Sequence, residues 1–251
     1  MKQSLKYVIM VAALAGSSAF AQMGPFGGAG SFAMNPTMAK LFGNNTAASA
    51  TAQFTINDSA RGQTVEMEMN MSMLDGKTRM EMDLTQVKGS RMPPNAGAQM
   101  KKMGMDKTVM ISLPEKKLML MIYPSLHAYA EHSLEDVPVA QRADSNTKIE
   151  KSSLGKETID GHDCQKSKVV ITNDQGAHHE ATVWNATDLK DFPVQMQMTE
   201  NGNDITIKFR NVKLDKPDAS LFDAPSDFTK YDSPQALMQG EMMKRAGARG
   251  Q

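Results

Sequence analysis

The chain has 251 residues, with 28 basic and 28 acidic side chains and a formal net charge of zero. That balance supplies no overall field for a phosphate backbone or an anionic membrane, so nucleic acid is not an expected partner. Cys164 is the only cysteine. An internal disulfide framework is therefore excluded, the fold must rest on its core, and Cys164 reads as a small buried residue.

Residues 1–21, MKQSLKYVIMVAALAGSSAFA, place Lys2 and Lys6 before an apolar run and end on Ala19-Phe20-Ala21. This is the three-part pattern of a cleaved secretory signal, with cleavage expected after Ala21. The apolar run is about half the roughly 20 residues that span a bilayer, so no integral span is expected after cleavage. No cysteine stands at the cleavage site to take a lipid. The expected address is the periplasm. Residues 22–48 are dense in Gly, Ala and Asn without strand period, and read as a flexible segment with at most a short helix near residues 36–42.

From residue 49 the pattern becomes short alternating runs separated by turn residues, the mark of an antiparallel sheet. The runs fall at 50–56, 63–74, 77–84, 108–113, 117–123, 126–131, 164–172, 178–186, 192–200 and 204–214. Asp75-Gly76 between two of them is a strong hairpin signal, because both residues tolerate positive φ. In the last run Ile205, Ile207 and Phe209 share one parity while Val212 and Leu214 have the other, which predicts a bulge near Asn211. Within and after the sheet region, helix candidates fall at residues 95–105 and 233–246, the second with Ser233 as N-cap and Pro234 at its first position. About ten hairpin-linked strands make a mainly β fold, a large meander or partial barrel with few helices. Residues 49–232 form its single domain, and residues 233–251 are expected to be a weakly helical tail dispensable to the sheet, since Gly240 and the glycine-rich end disfavour helix.

The run VEMEMNMSML, residues 65–74, puts Met67, Met69, Met71 and Met73 on one side of a strand, with Glu66, Glu68, Asn70 and Ser72 on the other. Met80, Met82 and Leu84 can share that side across the hairpin. Met-x-Met spacing recurs at Met119 and Met121 and at Met196 and Met198. Such residues serve as core. Core alone does not explain the choice of methionine over Leu, Val or Ile, which pack more uniquely. Methionine is unbranched and polarizable, and suits a surface that adapts to varied apolar partners. A soft-metal alternative places copper at Met67, Met69, Met80 and Met82, because thioethers prefer Cu(I). Against it, no histidine lies near residues 65–84, and the adjacent His178 and His179 face opposite sides of their strand.

The second half, LGKETIDGHDCQKSKVVI, then EATVWNATDLKDFPVQMQM, then FRNVKLDKPDASLFDAPSDFTKY, resembles the periplasmic lipoprotein-carrier-like superfamily (LolA/LolB/LppX-like). The resemblance is to an uncharacterised branch, spans residues 154–231 and extends back to about residue 50. It implies an incomplete antiparallel half barrel around a helical plug, with an apolar cavity for acyl chains. Combined with the export signal, it makes lipid or an acylated ligand the expected partner. The expected cavity lining is Met67, Met69, Met71, Met80, Met82, Met119, Met121, Met196 and Met198. Trp184 and Phe192-Pro193-Val194 match the family pattern and read as a sheet corner, while Tyr123 and Tyr129 read as cavity rim or strand cap.

No nucleophile elbow, His-Glu-x-x-His helix, phosphate loop or Cys-x-x-Cys pair occurs. Asp160-Gly161-His162-Asp163-Cys164 concentrates reactive groups, yet reads as a hairpin turn. No catalytic activity and no cofactor are expected.

Overall fold

The computed structural model describes residues 40–42, 44–89, 95–135, 148–172, 176, 178–200 and 202–248. The expected signal at residues 1–21 and most of the segment 22–48 lie outside them. The described chain forms one sheet of thirteen strands. In chain order they are β1 (Ala47–Asp58), β2 (Gln63–Leu74), β3 (Lys77–Asp83), β4 (Lys88–Gly89), β5 (Lys107–Leu113), β6 (Leu118–Tyr123), β7 (Ala128–Ser133), β8 (Lys148–Ile159), β9 (His162–Thr172), β10 (His178–Ala186), β11 (Phe192–Glu200), β12 (Asn203–Lys213) and β13 (Thr229–Tyr231). Two α-helices, α1 (Ala96–Met103) and α2 (Pro234–Ala248), accompany them.

The sheet runs β13-β7-β6-β5-β3-β2-β1-β12-β11-β10-β9-β8, with β4 paired to β2 off that path. Two antiparallel meanders therefore meet at the β1–β12 seam, and only β13 against β7 is parallel. β13 and β8 lie at opposite ends of the path and do not pair, so the barrel is incomplete: an open half barrel, mainly β.

Local chemistry explains the turns. Asp75 and Gly76 have φ of 48° and 84°, and Asp160 and Gly161 have 50° and 89°, the paired positive values of tight hairpins. In the reactive-looking cluster at residues 160–164, Asp160 and Gly161 are thus the β8–β9 turn, and His162, Asp163 and Cys164 open β9. Between Thr51↔Arg210 and Ser49↔Lys213, β12 carries one extra residue, and Asn211 sits in the left-handed region with φ 53°. That bulge lets Val212 pack against the core cluster that holds Ile205, Ile207 and Phe209.

Several strands exceed the pattern read from sequence. β1 begins at Ala47, β4 and β13 are too short to show a period, and β8 is exposed along almost its whole length, so its sequence KIEKSSLGKETI has no apolar alternation. Leu84 leaves the sheet for the 3-10 turn Leu84–Gln86, which Asp83 caps by accepting from the Thr85 amide at 2.9 Å.

The sheet buries apolar residues on both faces. Val109, Ile111, Leu120, Ile122 and Tyr129 pack under Phe222 on the outer face. Arg79 fixes this cover, its Nη1 donating to the Leu221 carbonyl at 2.9 Å and its Nε to Glu81 at 2.7 Å. The C-terminal segment forms a helix that packs on the sheet. Ser233 caps α2, its Oγ accepting from the Ala236 amide at 3.1 Å, and Pro234 is the first helical residue. Leu237 then has no exposed surface, packed with Tyr123, Ala128 and Ala130. The glycine that argued against this helix is what lets it dock: a Cβ on Gly240 would stand 2.7 Å from Tyr231 Cε1.

Candidate functional site

Residues directly opposite one another in an antiparallel pair point to the same side of a sheet, so the registers define one inner face. Val183, Met196, Ile207, Phe54 and Met67 form a row across β10, β11, β12, β1 and β2. Phe209, Ala52, Met69, Met82 and Thr108 form the next. A third joins Ala50, Met71, Met80, Met110, Met121 and Ala130. Met198 aligns with Ile205, Ile56 and Val65, and Met119 with Ser112, Thr78 and Met73. All nine methionines expected to line a cavity therefore lie on one face.

They are not equally covered. Met67, Met69, Met71, Met80, Met82, Met196 and Met198 are buried, whereas Met119 and Met121, with Met110, are half-buried at the β5–β6 end. The buried part is closed by Leu41 and Phe42, from the 3-10 turn Lys40–Phe42. Phe42 lies 5.2 Å from Phe192 and 5.6 Å from Phe209 between ring centroids, and Phe192 lies 5.6 Å from Phe209. Asn45 ties the turn down, its Nδ2 donating to the Phe42 carbonyl at 2.8 Å and the Lys190 carbonyl at 3.0 Å. These plug residues were hidden in the sequence by the small residues around them; a Leu-Phe pair in a segment of Gly, Ala and Asn is their only signal.

The space left under the plug is about 20 Å³, lined by Phe42, Ala52, Phe54, Met69, Met71, Met80, Ile207 and Phe209. It would hold one small group. A larger concavity, about 590 Å³, includes Gln53, Glu66, Glu68, Asn70, Glu81, Asp83, Lys88 and Lys107 in its lining. Most of its side chains are polar, though Phe54, Met67, Met82, Val109 and Pro124 also border it, and Gln53 there donates to Glu68 at 3.1 Å and accepts from Arg210 Nε at 2.7 Å.

Other singled-out residues fall elsewhere. Trp184 is buried on the outer face with Cys164 and Val194, while Phe192 turns inward. The Trp184 indole donates to Glu157 at 2.9 Å and Lys166 lies 4.9 Å above its ring; the indole bond first, then Lys166, holds the Glu157 carboxyl below its ordinary pKa. Tyr123 faces inward and Tyr129 outward, and burial raises the Tyr123 pKa. Burial also raises the Cys164 thiol. His178 and His179 are both exposed. At the β11 end of the inner face, burial raises the Glu200 carboxyl against the opposing field of His179, and Glu200 Oε2 has no hydrogen-bond partner among the described residues. Among the described residues no group of three or more His, Cys, Asp or Glu is placed to hold a metal, and no helix is long and apolar enough to cross a membrane.

An open half barrel with an apolar inner face defines the class. The chain belongs to the family described as Domain of unknown function (DUF4412), whose model matches residues 64–192. No curated protein matches the sequence. Among solved structures it is similar to the lipoprotein LppX of Mycobacterium tuberculosis, with 14% identity, 74% of this chain and 97% of that chain covered, and a TM-score of 0.38. It is similar also to a LolA superfamily protein from Nitrosomonas europaea (10% identity, 74% and 93% covered, TM-score 0.32) and to LprF from Mycobacterium bovis (14%, 73% and 97%, TM-score 0.31). These likenesses concern the course of the chain alone.

Proposed function

We propose that this is an exported, periplasmic binding protein that holds an acyl chain or similar apolar ligand against its methionine face, in the handling of envelope lipids or lipoproteins. It acts by binding, without catalysis or cofactor. The carrying observation is the convergence of methionines from β2, β3 and β11 beneath a plug contributed by a short turn outside the sheet. The sequence resemblance of residues 154–231 to the lipoprotein-carrier-like superfamily supports the same reading.

Ligand-sized pockets measure roughly 300–1,000 Å³, so a space of about 20 Å³ admits an acyl chain only if Leu41 and Phe42 leave. Exposing two such side chains costs about 3–6 kcal/mol, whereas burying an eighteen-carbon chain gains on the order of 10 kcal/mol gross at about 0.8 kcal/mol per CH₂. Exchange of plug for ligand is therefore favourable before ordering costs. Unbranched methionines supply the conformational freedom to re-pack around the incoming chain.

The small cavity favours a second reading, a domain whose filled core serves structure or protein contact. Native mass spectrometry of protein purified without detergent, with lipid extraction of the same sample, separates the two. A co-purified lipid supports the binding protein; folded protein free of lipid favours the filled core. For the copper alternative at Met67, Met69, Met80 and Met82, Cu(I) titration against a competing chelator is expected to show no tight stoichiometric site. The mature protein is expected to begin at or near Gln22, which intact mass reads directly.

A further inference from the structure

We propose that the meeting ends of α1 and α2 form a docking surface for an anionic bilayer. The large apolar side chains exposed among the described residues are Met103, Leu154, Leu221, Met242 and Met243. Three of the five sit on these two helices, and Met242 and Met243 are the barest, at 60% and 74% exposure. The helix ends are joined. Arg245 Nη1 donates to the Lys102 carbonyl at 2.8 Å, and Arg245 Nη2 lies so close to Gly104 that a Cβ there would stand 2.9 Å away.

Around these methionines stand Lys101, Lys102, Lys244 and Arg245. The acid of this part of α2, Glu241, is mostly buried and already accepts from Lys244 at 2.7 Å and the Tyr231 hydroxyl at 2.8 Å. The patch is thus locally cationic on a chain that is neutral overall. Lysines in the last turn of α1 have an ordinary role against the helix dipole, but that role does not account for bare methionines beside them. Exposed apolar side chains set among lysines and arginine are the pattern of an interfacial membrane surface, the apolar groups entering the acyl boundary and the cations meeting anionic headgroups. A protein partner would also use methionine and arginine, but such interfaces are depleted in lysine, which supplies three of the four cations here: Lys101, Lys102 and Lys244. The surface is separate from the inner methionine face and stands whether or not that face takes a ligand.

The test is co-sedimentation of the full mature chain with mixed phosphatidylglycerol–phosphatidylcholine vesicles and with pure phosphatidylcholine vesicles. Wild type is expected to partition onto the anionic vesicles well above the zwitterionic ones. Lys101→Gln with Lys102→Gln is expected to lower that partition about 30-fold, the combined effect of two cations near an anionic surface. Met242→Ser with Met243→Ser is expected to remove the binding that survives high salt. All four side chains are exposed, and circular dichroism of each variant confirms an intact fold. Failure to bind anionic vesicles, equal binding to both vesicle types, or folded variants that bind like wild type would overturn the proposal.

Discussion

The Phe42 ring is inclined at 54° to that of Phe192, 5.2 Å away, so a residue from before the first strand closes the inner face over β11. Phe42→Ala removes this cover and is expected to cost about 3–5 kcal/mol of stability, as other buried Phe truncations do. Urea denaturation measures it. If Phe42 is the removable plug of a binding face, the same variant binds an apolar fluorescent probe more tightly than wild type, an effect that loss of packing alone would not bring to a still-folded protein.

The methionines differ in what they tolerate. Met196 has no exposed surface, and Met196→Ala is expected to cost about 2–5 kcal/mol. Met69→Leu nearly conserves volume and is expected to cost under about 1.5 kcal/mol. Replacing Met69, Met71 and Met80 together by leucine should therefore preserve the fold while stiffening the face. Reduced acyl affinity with an unchanged denaturation midpoint is the outcome that assigns methionine a role beyond filling space.

Asn211 at φ 53° marks the β12 bulge. Asn211→Gly is expected to be near neutral. Asn211→Val places a β-branched residue in the left-handed region and should destabilise by about 1–2 kcal/mol or more. Equal midpoints for the two variants would show that the bulge is not held at this residue.

Much of the sheet was legible because alternation and turn chemistry agreed. Gln63–Leu74, His178–Ala186 and Phe192–Glu200 match the runs read from sequence, and Asn211 sits where the parity change demanded a bulge. The nine methionines share a face because that parity carries through successive registers. What alternation could not reveal is coverage. β8 shows no period because both of its faces are exposed, and Leu41 and Phe42 occupy a turn whose neighbours carry no pattern. Gly240 read as a mark against the C-terminal helix, yet its absent Cβ admits Tyr231 there. Whether a Met-rich face is vacant or filled depends on such covers.

Glu200 carries an unusual pH dependence. Burial raises its folded-state pKa above the unfolded value, so the protonated form is favoured in the native state and stability is lost as pH rises through the folded pKa. Glu200→Gln is expected to raise the melting temperature at neutral pH, and the gain should vanish at pH values below the ordinary carboxylate range. A gain that persists undiminished in acid would locate its origin in packing instead.

The central claim is that the methionine face exchanges its plug for an apolar chain. Displacement of a fluorescent fatty acid from the purified, delipidated protein tests it most directly. The account predicts saturable binding at micromolar or lower concentration, displaced by unlabelled long-chain fatty acid and strengthened by Phe42→Ala. A folded protein that neither takes up the probe nor gains it on removal of the plug would contradict the account and leave the methionine face as core.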